Sequence, residues 1–89
     1  MGHVRIYTRS WCAYCAAAVR LLRKRDVAFE QIDVTGDASA RAWLAARTHR
    51  STVPQIFVDD RPIGGYAELR ALARDGSFDR VLGVIQRDR

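Results

Sequence analysis

"HVRIYTRSWCAYCAAAVRLLRKRDVAFEQIDV", His3 to Val34, is the stretch that decides the fold. Within it "HVRIYT" alternates, with Val4 and Ile6 on one face, as a half-buried strand requires. The following "CAYCAAAVRLLRKR" has no Gly or Pro, is alanine-rich, and ends in cations that suit a helix C-terminus. Helical spacing puts Cys15, Ala18, Val19 and Leu22 on one face. "AFEQIDV", Ala28 to Val34, reads as a second strand. Strand, helix and strand over about thirty residues make a βαβ unit. The two strands should therefore run parallel, joined by a right-handed crossover.

Working outward, Gly36 and Asp37 break the chain and offer a cap for "ASARAWLAART". That helix carries Ala40, Trp43, Leu44 and Arg47 in succession on one side. Gln55 to Val58 is an unbroken run that predicts a strand buried on both faces. Asp59-Asp60 turns it into a short fourth strand around Pro62-Ile63, where the proline suits an edge. "YAELRALARDG" predicts a helix with Tyr66, Leu69, Leu72 and Ala73 inward and Gly76 as its stop. "SFDRVLGVIQ" spaces Phe78, Val81, Leu82 and Ile85 as a final amphipathic helix. The order βαβαββα plus a C-terminal helix is an α/β sandwich. With 89 residues and no linker, repeat or low-complexity segment, one domain over residues 1–89 is expected.

Composition narrows the function. Hydrophobic residues make up 48% and charged residues 28%, the balance of a globular chain. The net charge is +5, and of fifteen basic residues only Lys24 is a lysine. Nucleic-acid binding would need a basic stripe with interleaved aromatics or a reading motif, and neither is visible. The cluster "RLLRKR" reads as a solvated helix face, although two or three arginines could still grip a small anion. No apolar run approaches the roughly 18 residues that would span a membrane. "MGH" leads straight into the first strand without a signal-peptide pattern, so a cytoplasmic location is expected.

Both cysteines lie in "WCAYC", three positions apart, where the first strand meets its helix. Three roles compete: half a metal site, a structural staple, or a pair of sulfurs that trade electrons. A zinc site needs four ligands, and His3 and His49 are far apart without ligand spacing. A staple closing so short a loop gains little in a reducing compartment. Redox exchange fits the placement. Cys12 falls at the first turn, where unpaired amides and the positive end of the helix dipole stabilise a thiolate. Such a site lowers a thiol pKa from ~8.5 into a range of ~3.5–7.5, with Arg9 a nearby cation. Cys15, one turn in, should be more buried and less ionised. An exposed thiolate beside a protected thiol suits attack followed by resolution.

Two segments carry a family resemblance. "YTRSWCAYC" resembles the active-site segment of glutaredoxins, and "STVPQIFVDDRPIGGYAEL" resembles their TVP segment with its double glycine and helix. The likeness runs from about Val4 to about Phe78 without a gap. It implies a thioredoxin-like fold with a four-stranded mixed sheet flanked by helices, and glutathione as co-substrate. It implies a thiol–disulfide oxidoreductase in which Cys12 is the nucleophile and Cys15 the resolving thiol. The implied clients are glutathionylated or disulfide-containing proteins, and the implied state is a monomer.

The resemblance also implies ligand residues. Val53-Pro54 would be a cis peptide that presents the backbone of Val53, beside Thr52, to glutathione like an added strand. Gly65, Tyr66 and Ala67 would meet the γ-glutamyl end at the start of a helix. Arg9 and Arg41 would engage the glycyl carboxylate, and Tyr14 would pack beside the tripeptide. Alone, Pro54 merely starts a strand, the glycine pair is a turn, Arg41 is a solvated helix arginine, and Tyr14 shields Cys15.

Three departures stand out. Ala13 replaces the usual proline of Cys-Pro-Tyr-Cys, which bears on helix rigidity and thiol ionisation. Trp11 with a small residue after Cys12 resembles variants that bridge a [2Fe–2S] cluster between two subunits, with Cys12 and glutathione as ligands. Ala67 stands where the family often has an acidic or polar partner for the glutathione α-amino group; Glu68 is the candidate substitute, and Tyr66 could pack in compensation. A mycoredoxin-like enzyme using another low-molecular-weight thiol is a further alternative, since those proteins share a WC-x-YC site.

Overall fold

The computed structural model describes His3 to Leu82. Its elements are β1 (Val4–Thr8), α1 (Ala13–Lys24), β2 (Phe29–Asp33), α2 (Ala38–Thr48), β3 (Gln55–Val58), β4 (Arg61–Gly64), α3 (Tyr66–Arg74) and α4 (Ser77–Leu82). They form one four-stranded sheet in the order β2-β1-β3-β4. β1 and β2 are parallel, while β1–β3 and β3–β4 are antiparallel. The mixed, open sheet with helices on both faces is the thioredoxin-like arrangement that the resemblance implies. Ile85, expected on the last helical face, lies outside the described residues.

Alternation along the central strands builds two cores. Val4 and Ile6 of β1 pair in register with Val58 and Ile56 of β3. These four join Ala18, Val19, Leu22, Leu69, Phe78 and Leu82 on the face covered by α1, α3 and α4. The opposite face gathers Tyr7, Val34, Leu44 and Phe57 beneath α2. Phe57, Ile6, Leu22, Ile56 and Leu69 are fully buried, each contributing about 1.5–3 kcal/mol of apolar transfer. β3 is buried along its whole length, as its unbroken apolar run predicts, and Pro62 sits on the edge strand.

The helix ends follow local chemistry. Asp37 caps α2, its Oδ1 accepting from the Ala40 N–H at 2.9 Å. Arg25 closes α1, and its guanidinium donates to the Ala73 carbonyl, tying α1 to α3. α3 ends at Asp75 rather than at Gly76, which follows with φ +81°. β1 and β2 are each shorter at their margins than the alternation suggests, because His3, Ala28 and Val34 lie outside the ladder.

This topology gathers the loops of interest at one end of the sheet. β1 ends there and α1 begins; β3 starts there after Pro54; β4 ends there before α3. The loop after β1 is pinned by a 2.7 Å hydrogen bond from the Ser10 N–H to Thr35 Oγ1.

Candidate active site

Cys12 is the N-cap of α1, and its sulfur accepts a hydrogen bond from the Cys15 N–H at 3.1 Å. The orphan amides of a helix start therefore face this sulfur, an arrangement that favours negative charge on it. Cys12 is half-buried, whereas Cys15, one turn on, is only 4% exposed. The two are joined as a disulfide, with Cα atoms 5.2 Å apart. The asymmetry is the one the CxxC spacing predicts: an accessible sulfur and a protected one within bonding reach.

Across from the cysteines runs the segment before β3. The Val53–Pro54 peptide is cis, and the Val53 carbonyl oxygen lies 3.8 Å from Cys12 Sγ. Val53 also lines a groove of about 460 Å³ whose walls include Tyr14, Thr52, Pro54, Gly65, Tyr66 and Ala67. Seven residues singled out from the sequence thus meet on one surface. Tyr14 and Tyr66 stack with ring centroids 5.8 Å apart, joining the first turns of α1 and α3 into one wall.

Gly64 and Gly65 are explained by close approach. Gly64 has φ +117°, and a Cβ there would fall 2.7 Å from Glu68 Cγ. A Cβ on Gly65 would come 3.1 Å from the Pro54 carbonyl oxygen. The double glycine lets the start of α3 close down on Pro54, which narrows the groove.

Arg50, Glu68 and Arg70 complete the groove wall. Sequence reading assigned no role to Arg50 or Arg70, which follow no periodic signal toward this site. Glu68 does more than was expected of it. Its carboxylate accepts from the Gly65 N–H at 2.8 Å and from both terminal nitrogens of Arg50 at 3.2 and 3.0 Å. The Arg50 hydrogen bond, with help from the Gly65 amide, lowers its pKa to about 2. Glu68 is thereby committed to Arg50 and to capping α3. The spacing Gly65-x-x-Glu68 is a half capping box and was the available signal.

Arg9 and Arg41 do not line this groove. Arg9 faces a second depression of about 450 Å³ on the other side of Cys12, which also contains Trp11, Cys15, Arg20 and Arg23. Arg41 donates from Nη1 to the Val34 carbonyl at 3.1 Å, holding the end of β2 to α2. Among the described residues no group of three or more His, Cys, Asp or Glu side chains could hold a metal ion. No helix among them is long and apolar enough to cross a membrane.

A disulfide-forming CxxC at a helix start, facing a Val-Pro segment across a groove on this sheet, is the apparatus of a thiol–disulfide oxidoreductase. Comparison with known proteins agrees. The glutaredoxin family model matches residues 4–63. Glutaredoxin 3 of Escherichia coli K12 is 42% identical over 82 residues, 92% of this chain and 99% of that protein. A glutaredoxin of Pseudomonas aeruginosa is 42% identical over 84 residues, 94% of this chain and all of its own length. The solution structure of a Brucella melitensis glutaredoxin superposes with a TM-score of 0.83 at 40% identity, covering 92% of this chain and 89% of that one. A buckwheat glutaredoxin–glutathione complex shares the fold, with a TM-score of 0.82 at 23% identity, over 92% of this chain and 77% of that one. The chain belongs to the glutaredoxin family.

Proposed function

We propose that the chain is a glutathione-dependent oxidoreductase that reduces protein–glutathione mixed disulfides and protein disulfides in the cytoplasm, as a monomer. The carrying observation is the half-buried Cys12 sulfur beside the Val53 carbonyl, at the edge of a groove sized for a tripeptide. The solved complex of a fold relative with glutathione supports that choice of ligand.

In the reduced enzyme the Cys12 thiolate attacks the glutathionyl sulfur of the mixed disulfide. The old S–S bond breaks, the client sulfur leaves as a thiolate and takes up a proton, and Cys12 is left bonded to glutathione. A second glutathione thiolate attacks the bound glutathionyl sulfur, releasing glutathione disulfide and restoring Cys12. With a protein disulfide, Cys12 forms a mixed disulfide with the client, and Cys15 displaces it to give the Cys12–Cys15 bond. Two glutathiones then reduce that bond and leave as glutathione disulfide.

Bound glutathione pairs its cysteinyl backbone with Val53 and lays its γ-glutamyl end toward Gly65, Tyr66 and Ala67, with Thr52 at the groove edge. The remaining N–H groups at the start of α3 and Arg70 suit the γ-glutamyl carboxylate. Tyr14 and Tyr66 cover the tripeptide from one side. Arg9 reaches the glycyl carboxylate by swinging across Cys12, and Arg41 by releasing the Val34 carbonyl.

The test is a coupled assay with glutathione, glutathione reductase and a glutathionylated protein. Cys12→Ser should fall to background and Cys15→Ser should keep much of the activity. The reverse pattern, or reduction of the oxidised protein only by a different low-molecular-weight thiol, overturns the assignment.

A further inference from the structure

The second depression beside Cys12 has a character the glutathione groove lacks. Ala16, Val19, Arg20 and Arg23 of α1 lie at helical spacing and form a stripe leading away from the Cys12 sulfur, with Arg9 and Trp11 at its upper rim. No acidic side chain lines it. Arg20 and Arg23, which have no part in holding glutathione, form no ion pair among the described residues, whereas Arg50 in the glutathione groove is neutralised by Glu68. Trp11 sits at φ +58° and is fully exposed, an indole held in water next to the reactive sulfur.

We propose that this depression docks the polypeptide part of the mixed disulfide, and that it selects clients whose cysteine is flanked by acidic residues. The inference rests on Cys12 being the attacking sulfur and deepens the proposed function by naming the client class. With glutathione in the Val53 groove, the client chain must leave the attacked glutathionyl sulfur on a side that the groove does not occupy, and this depression borders Cys12, the sulfur that attacks it. Unpaired arginines along that exit favour carboxylates without any carboxylate of this surface having to be displaced. The indole offers apolar cover to the client residue next to its cysteine.

Two glutathionylated peptides of equal length test this, one with aspartate and glutamate around the cysteine and one with lysine. For the wild type, kcat/KM should favour the acidic peptide by roughly tenfold at low salt, and the ratio should shrink at ~300 mM salt. Arg20→Glu/Arg23→Glu should abolish or invert the preference while leaving turnover of a small glutathione mixed disulfide unchanged. Equal kcat/KM for the two peptides in the wild type overturns the proposal, as does a preference that survives the double substitution. If neither peptide nor the small disulfide is turned over, the glutathione reading has failed. Fluorescence anisotropy of the two labelled peptides in unmodified form then decides: tighter binding of the acidic one, lost in the double variant, supports the docking surface, and equal binding refutes it.

Discussion

Cys12 Sγ lies 3.8 Å from the carbonyl oxygen of Val53, a residue 41 positions further along the chain. The approach exists because β1 and β3 are antiparallel neighbours, so the end of one and the start of the other share an edge of the sheet. Chemistry from the first strand–helix junction and binding surface from the Val-Pro segment are brought together by that pairing alone.

Ala67 offers no polar group to the proposed γ-glutamyl end of the groove, and the neighbouring Glu68 is held by Arg50 and Gly65. Ala67→Asp should therefore supply a partner for the glutathione ammonium and lower KM for glutathione by roughly two- to fivefold, the range of a solvent-exposed ion pair. Steady-state kinetics with varied glutathione checks this. An unchanged or raised KM would place the γ-glutamyl end elsewhere.

Glu68 makes part of the stability acid-sensitive. Its folded-state pKa, about 2, lies below the ordinary 4.5. A depressed carboxyl pKa stabilises the fold above the ordinary value, and this contribution is lost as pH falls from about 4.5 toward 2. The side chain is 40% exposed, so solvent screening limits its worth to about 1 kcal/mol. Glu68→Gln keeps an acceptor for the Gly65 N–H but loses the charge. Urea denaturation should show the variant less stable near neutrality, with the gap closing toward pH 2.

Gly64→Ala should cost about 1–3 kcal/mol, since it combines a left-handed backbone with a new Cβ only 2.7 Å from Glu68 Cγ. Gly76 is the control: its φ is +81°, yet a Cβ there meets nothing within 4 Å. Thermal denaturation of both variants should rank Gly64→Ala as clearly more damaging. Equal losses would mean that backbone conformation alone matters.

Much of this architecture was legible in the sequence because the signals were local. Ile56 to Val58 is a continuous apolar run and, with Gln55 ahead of it, forms the strand expected over Gln55 to Val58; Ala38 to Thr48 follows an Asp37 cap and forms a helix with those bounds. The CxxC pair at a strand–helix junction announced the chemistry, and "TVP" with the double glycine announced the groove. What stayed hidden depends on tertiary approach. Arg50 sits in a loop and meets Glu68 eighteen residues later, a pairing that no periodicity encodes. Arg41 looked available from helix α2, but the end of β2 places the Val34 carbonyl within its reach. The arginines at 20 and 23 read as an ordinary solvated face until α1 brought them into line with the reactive sulfur.

The central claim is that Cys12, alone of the two thiols, exchanges with glutathione. Intact mass measurement of the two single-cysteine variants after exposure to oxidised glutathione at neutral pH tests it most directly. The account predicts one glutathione adduct on Cys15→Ser and none on Cys12→Ser. An adduct on Cys12→Ser together with an unmodified Cys15→Ser would contradict it.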